Sequence, residues 1–238
     1  MNSYAYDLHI HTALSPCGDE DMTPNNIANM AYLKGLDIIA VTDHNSCENA
    51  AAVKKCGEKV GVTVIPGMEL ETCEEVHMVC LFETLESAYE LEKIVLRHLP
   101  YIENKEEIFG RQLVMDENDE IVKIKENLLI TATSLSVYEV FDAVKGLDGI
   151  VFPAHIDKQS YSIISNLGFI PPELDFKCVE IKDKSKKYEL VKTHKLDNVK
   201  ILHNSDAHYL ENISERENFL HAESKDISSV FDNFRQKS

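Results

Sequence analysis

Polar and apolar side chains alternate through Tyr6-Asp7-Leu8-His9-Ile10-His11. In an extended strand, residues two apart share a face, so Asp7, His9 and His11 point one way while Leu8 and Ile10 point the other. Two later runs are largely apolar: Leu36 to Val41, apolar but for Asp37, which ends in Thr42-Asp43-His44, and Val62 to Ile65, which leads through Pro66-Gly67 to Met68-Glu69. A run like the first suits a parallel strand buried on both faces. A fourth strand, Val76 to Phe82, carries His77 near its start.

Helical periodicity fills the gaps between these strands. Thr23-Pro24 reads as an N-cap followed by proline at the first helical position, opening a helix that stops at Gly35. Further helices are expected at about 48–59, 85–99 and 185–196, and Ser136-x-x-Glu139 forms a capping box for one that ends at Gly146. Gly149 to His155 is another strand ending in histidine, Val179 to Lys182 is a short one, and Val199 to Leu202 runs into His203-Asn204-Ser205-Asp206-Ala207-His208. Ile227, Val230, Phe231 and Phe234 fall at helical spacing and predict a closing helix. Residues 100–133 break the rhythm: Leu113-Val114-Met115 and Ile121 to Ile124 flank a polar turn, which reads as an inserted hairpin, either a wall or lid for substrate or a surface hairpin with no role. Strands alternating with helices imply an α/β fold with parallel pairing, and residues 1–238 read as one domain.

Composition adds little to the fold and more to the chemistry. The 238 residues are 44% hydrophobic and 27% charged, enough to bury a large core. No apolar run is long enough to span a membrane, and the start of the chain lacks a signal-peptide pattern, so a cytoplasmic protein is expected. Six scattered cysteines without a C-x-x-C pair agree with a reducing compartment. The formal charge of −17 argues against stable binding of duplex nucleic acid and leaves room for a small phosphorylated substrate at a metal-lined site.

The candidate chemistry gathers where strands end. His9, His11, His44, Glu69, His77, His155, Asp206 and His208 lie at or near predicted strand ends, where α/β folds build their sites. Imidazole and carboxylate suit zinc, manganese and iron. Eight such groups exceed the needs of one ion and suit two or three divalent ions, with Glu69 able to bridge. Asp7 and Asp43 adjoin these residues and could orient their imidazoles, although Asp43 could equally cap the next helix. Lys158 and Arg111 are candidate cations for a phosphate group.

Taken together, Asp7-Leu8-His9-Ile10-His11-Thr12, Thr42-Asp43-His44, Pro66-Gly67-Met68-Glu69, Val76-His77, Pro153-Ala154-His155 and Ser205-Asp206-Ala207-His208 resemble the motifs of the PHP family, the polymerase and histidinol phosphatase superfamily. They occur in that family's order across nearly the whole chain. The resemblance implies a distorted seven-stranded TIM-like (β/α) barrel with a trinuclear metal cluster and phosphoester hydrolysis. It implies that His9, His11, Glu69 and Asp206 hold one ion, Glu69, His77 and His155 a second, and His44 and His208 a third. Where many relatives place a further histidine or acid for the third ion, this chain has Cys17, with Asp19 or water as the alternative. On that resemblance, hydrolysis of a small phosphomonoester or nucleotide-type phosphoester is the leading expectation; the metals would need no separate nucleophile, and no G-x-S-x-G or P-loop is present. The alternatives are hydrolysis of an amide or other C–N bond, and a non-catalytic metal- or nucleotide-binding module.

Overall fold

A computed structural model describes residues 1–235. Its elements run β1 (Asn2–Ile10), α1 (Pro24–Leu33), β2 (Ile38–Val41), α2 (Ala50–Val60), β3 (Thr63–Glu71), β4 (His77–Leu81), α3 (Leu85–His98), α4 (Glu106–Phe109), β5 (Leu113–Met115) and β6 (Ile121–Ile124). They continue with α5 (Val137–Gly146), β7 (Ile150–Pro153), α6 (Ile163–Leu167), β8 (Cys178–Glu180), α7 (Lys187–His194), β9 (Lys200–Leu202), β10 (Phe219–Ala222) and α8 (Ile227–Arg235). The two clearest sequence signals are realised in side chains. Thr23 accepts from the Asn26 amide at the start of α1, and Ser136 with Glu139 forms the reciprocal capping box of α5.

Six strands form a curved sheet in the order β10-β1-β2-β3-β4-β7, and β8 pairs with β9 in a separate parallel ribbon. The ribbon is tied to the sheet at its upper edge, where Ile10 bridges Ala207 and the Ile156 amide donates to Glu180 O. The result is a mixed α/β half-barrel, in keeping with the α/β class expected from the sequence, although its strands are not all parallel as alternating strands and helices had implied. Only β1, β2 and β3 are parallel to one another within the sheet. A tight turn joins β3 to β4, which runs antiparallel to both β3 and β7, and β10 closes the other edge antiparallel to β1.

The reversal of β4 explains an irregularity in the sequence. His77 stands at the beginning of its strand, unlike the other candidate ligands, and an antiparallel strand begins where its parallel neighbours end. Gly67 permits this pairing, because a Cβ there would lie 2.5 Å from Cys80 O on β4.

The inside of the barrel is apolar: Leu8, Ile38, Ala40, Ile65, Val79 and Phe152 are fully buried. Helix α8 closes the bottom with Val230, Phe231 and Phe234 in the same cluster, as their spacing predicts. Burying such aromatic side chains contributes about 1.5–3 kcal/mol each. The expected insertion hairpin forms as β5 and β6 and is pinned to the body. Asn49 donates to Leu113 O and accepts from the Met115 amide, while Lys125 Nζ lies 2.6 Å from Glu48. No helix among the described residues is long and apolar enough to cross a membrane.

Candidate metal centre

Glu69 is the hub. It sits at the upper end of β3 with no solvent exposure, and five imidazoles from four segments of the chain converge on its two oxygens. Oε1 lies 2.9 Å from His77 Nδ1, 3.2 Å from His9 Nε2 and 3.3 Å from His155 Nε2. Oε2 lies 3.2 Å from His44 Nδ1 and 3.3 Å from His11 Nε2. Asp206 joins from the loop after β9, its Oδ1 3.5 Å from His9 Nε2 and 3.4 Å from His11 Nε2. His208 stacks on His11 with ring centroids 4.1 Å apart. All eight histidine, glutamate and aspartate candidates thus meet in one cup.

Three sets of ligand atoms lie close enough together to share an ion: His9, His11, Glu69 and Asp206; His44, Glu69 and His77; and His11, His44 and His208. The first matches the expected set. In the second, His44 takes the place expected for His155, which still reaches the same Glu69 oxygen as His77. Cys17, itself exposed in the loop after β1, falls in none of the three, and neither does Asp19.

The donor set fits divalent cations on two observations. Buried His44 Nδ1, Glu69 Oε2 and His155 Nδ1 have no hydrogen-bond partner, although buried polar atoms almost always find one. The electrostatics also call for positive charge at the centre. Burial alone would lower the His9 imidazole, yet the Glu180, Glu69 and Asp206 carboxylates hold it well above its usual range. His44 and His208 go the other way, pushed down first by burial and then by His11, with His208 at about 3. Neutral imidazoles of this kind are the form that ligates metal.

A surrounding shell sets which ring nitrogens face inward. Ser15 Oγ donates to Asp43 Oδ1 at 2.7 Å, so it accepts from His11 Nδ1 at 3.0 Å, which leaves His11 Nε2 with its lone pair toward Glu69. Asp43 therefore orients a histidine through a serine, and its other contacts are to Thr12 rather than to the next helix. Asp7 takes a different part from the one anticipated: its carboxylate accepts the Ser205 and Ser214 amides, tying β1 to the loop that carries Asp206.

Glu180 is the residue that sequence reasoning passed over. It ends β8, is fully buried, and accepts from His9 Nδ1 at 3.0 Å, from the His155 amide and from Asn204 Nδ2. Its signal was present as a lone acid in the short apolar strand Val179-Glu180-Ile181, at a strand end like the other candidates. His155 and Asp206 both have positive φ, 29° and 51°, a conformation disfavoured for residues with a Cβ and concentrated at functional sites.

The two candidate cations lie in different places. Lys158 Nζ is 2.6 Å from Asp206 Oδ2 at the mouth of the cup. Arg111 forms a forked pair with Glu20, Nε to Oε1 at 2.7 Å, on the exposed side of the insertion.

The PHP domain family model matches residues 7–168, more than half of the chain. Over 76 residues the chain is 38% identical to the uncharacterized protein MJ1587 of Methanocaldococcus jannaschii, a match covering 29% of this chain and 44% of that protein. The chain spans less than half of the length of that relative. Among solved structures, a protein of Bifidobacterium adolescentis, named provisionally as a metal-dependent phosphoesterase, superposes with a TM-score of 0.63 at 18% identity, covering 96% of each chain. Endonuclease Q superposes with a TM-score of 0.68 at 20% identity over 98% of this chain and 57% of that one, in a complex with a 27-mer duplex substrate whose abasic lesion lies at the active site. The same fold thus accommodates a duplex, which overturns the expectation drawn from the charge of −17. Net charge averages over the whole surface, whereas a nucleic acid responds to the local field around a site.

Proposed function

The chain belongs to the PHP domain family, and from that premise we propose that it is a metal-dependent phosphoesterase acting on a nucleotide-type phosphoester. One observation carries the reading: a single buried carboxylate, Glu69, meets five imidazoles and keeps an oxygen without a hydrogen bond. That arrangement is costly as a structural network and natural as a bridge between cations. His9, His11, Glu69 and Asp206 would hold one ion, with His44, His77, His155 and His208 completing sites for one or two more. Zinc, manganese or iron all suit these donors. Bound divalent ions lower the pKa of water and neutralise charge on phosphoryl oxygens.

The chain's own residues do the rest. Glu180 and Ser15 hold His9 and His11 in the tautomers that present Nε2 inward. Lys158, at the mouth, is placed to turn from Asp206 toward a phosphate oxygen as substrate enters. Burial of Glu69 and the rings around it keeps the electrostatics strong by excluding bulk water.

The test is product release from mononucleotides, dinucleotides and a duplex bearing an abasic lesion, using protein reconstituted with manganese or zinc. Asp206→Asn serves as the control. Release from at least one substrate, abolished by the substitution, is the expected result. No release from protein shown to carry its metal would sink the proposal.

A further inference from the structure

Positive charge is strongly segregated in this acidic chain. Residues 182–195 hold six lysines against Asp183 and Glu189, a formal +4 within a total of −17. The segment begins at the metal centre. Lys182 donates to Ser205 O and its Nζ lies 3.8 Å from Asp206 Oδ2, beside the Lys158 contact to the same oxygen. From there it passes through the turn at 184–186 into α7.

Helix α7 has no fully buried residue. Leu190 and Val191 pack on the main core, while the outward row Lys184, Tyr188, Lys192 and Lys195 follows helical spacing. Tyr188 is 79% exposed in the middle of that row. A tyrosine left in water between lysines buries nothing of its own and offers an aromatic face. Lys184 has an exposed partner, Glu217 at 3.3 Å, a contact cheap to exchange for phosphate. Among the described residues, Lys187, Lys192 and Lys195 form no ion pair.

We propose that residues 182–195 form a track for a nucleic-acid strand whose scissile phosphoester lies in the metal cup. The inference rests on the phosphoesterase reading and names its substrate class. Eight helical residues span about 12 Å, long enough to follow more than one phosphate of a strand. Lysines neutralise the backbone and Tyr188 stacks on an unpaired base, the combination that binds single strands without regard to sequence. Continuity with a phosphoester centre favours this occupant over an anionic membrane surface, which would need no connection to the cup.

The experiment uses the metal-reconstituted full chain and a fluorescein-labelled, phosphorothioate-linked 12-nucleotide single strand, with anisotropy read from 50 to 200 mM salt. The triple variant Lys184→Glu, Lys187→Glu, Lys192→Glu alters exposed side chains outside the cup. Its affinity for the 12-mer should fall at least tenfold, and the slope of log affinity against log salt should flatten by about two units. Tyr188→Ala should weaken the single strand about tenfold and a duplex of equal length far less. Mononucleotide turnover should be unchanged in both variants. A wild-type protein that ignores the 12-mer, a triple variant that binds it equally well, or track-dependent binding of phosphatidylserine vesicles without binding of the 12-mer would each overturn the proposal. Track-dependent binding without any phosphoester turnover would instead remove the phosphoesterase reading and leave the track standing.

Discussion

Glu180 Oε2 lies 3.0 Å from His9 Nδ1, with both side chains fully shielded from solvent, so a carboxylate on β8 determines how a ring on β1 faces the cup. The same glutamate accepts the His155 amide, linking a second candidate ligand to the same support. Supports of this kind fix the tautomer of a ligating histidine and raise its basicity, and their loss typically weakens metal affinity 10- to 100-fold. Glu180→Gln keeps the shape and removes the charge. The expected outcome is weaker manganese or zinc binding by about that factor, read by competition with a chromophoric chelator. Unchanged affinity would show that His9 is held without the carboxylate's charge.

If the cup holds ions, their removal should destabilise the fold. A ligand present at a hundred times its dissociation constant adds about 2.7 kcal/mol to stability. For a domain of this size that corresponds to a rise in melting temperature of roughly 5–10 °C. Protein stripped with a chelator should melt lower by that amount and recover on addition of manganese or zinc. Identical melting curves with and without saturating metal would count against the whole donor set.

Much of this site was legible because its residues carry chemistry that cores do not use. A strand with His9 and His11 on one face, and further strands ending in His44, Glu69 and His155, can be read without knowing how the strands pair. Glu180 was harder to read, since one acid in a three-residue strand resembles any surface glutamate until His9 is seen against it. Strand direction was harder still. The run from Val76 to Phe82 is apolar in either orientation, and only the short turn at 72–76 distinguishes a hairpin from a crossover. β10 was missed because Phe219-Leu220-His221-Ala222 is a short edge strand with two exposed positions. The misjudged exclusion of duplex nucleic acid came from treating charge as a total, when Lys158 and Lys182 both stand beside Asp206 at the site itself.

Lys158 separates binding from metal capture. Its side chain is 40% exposed, and its ammonium touches the cup through Asp206. Lys158→Ala should leave metal content at the wild-type value and raise KM for a phosphoester by at least fivefold, with a smaller change in kcat. Arg111→Ala, on the insertion and paired with Glu20, gives the contrast: its KM should stay within twofold of wild type. Metal loss in the lysine variant would reassign Lys158 to holding Asp206 in place.

The bottom of the barrel should govern stability independently of the cup. Phe231 is fully buried at the centre of α8 and packs in the same cluster as Leu8, Ile38 and Phe152, below the strand ends that carry the ligands. Phe231→Ala removes a ring from a close-packed interior, at a cost of about 3–5 kcal/mol. The denaturant midpoint should fall accordingly, with little change in the slope of the transition if the unfolded state is unaffected. Metal affinity measured well below that midpoint should remain as in the wild type, because β1, β2 and β3 hold His9, His11, His44 and Glu69 through their own parallel pairing above the plug. A variant that lost metal affinity while still folded would show that α8 braces the strand ends as well as closing the core.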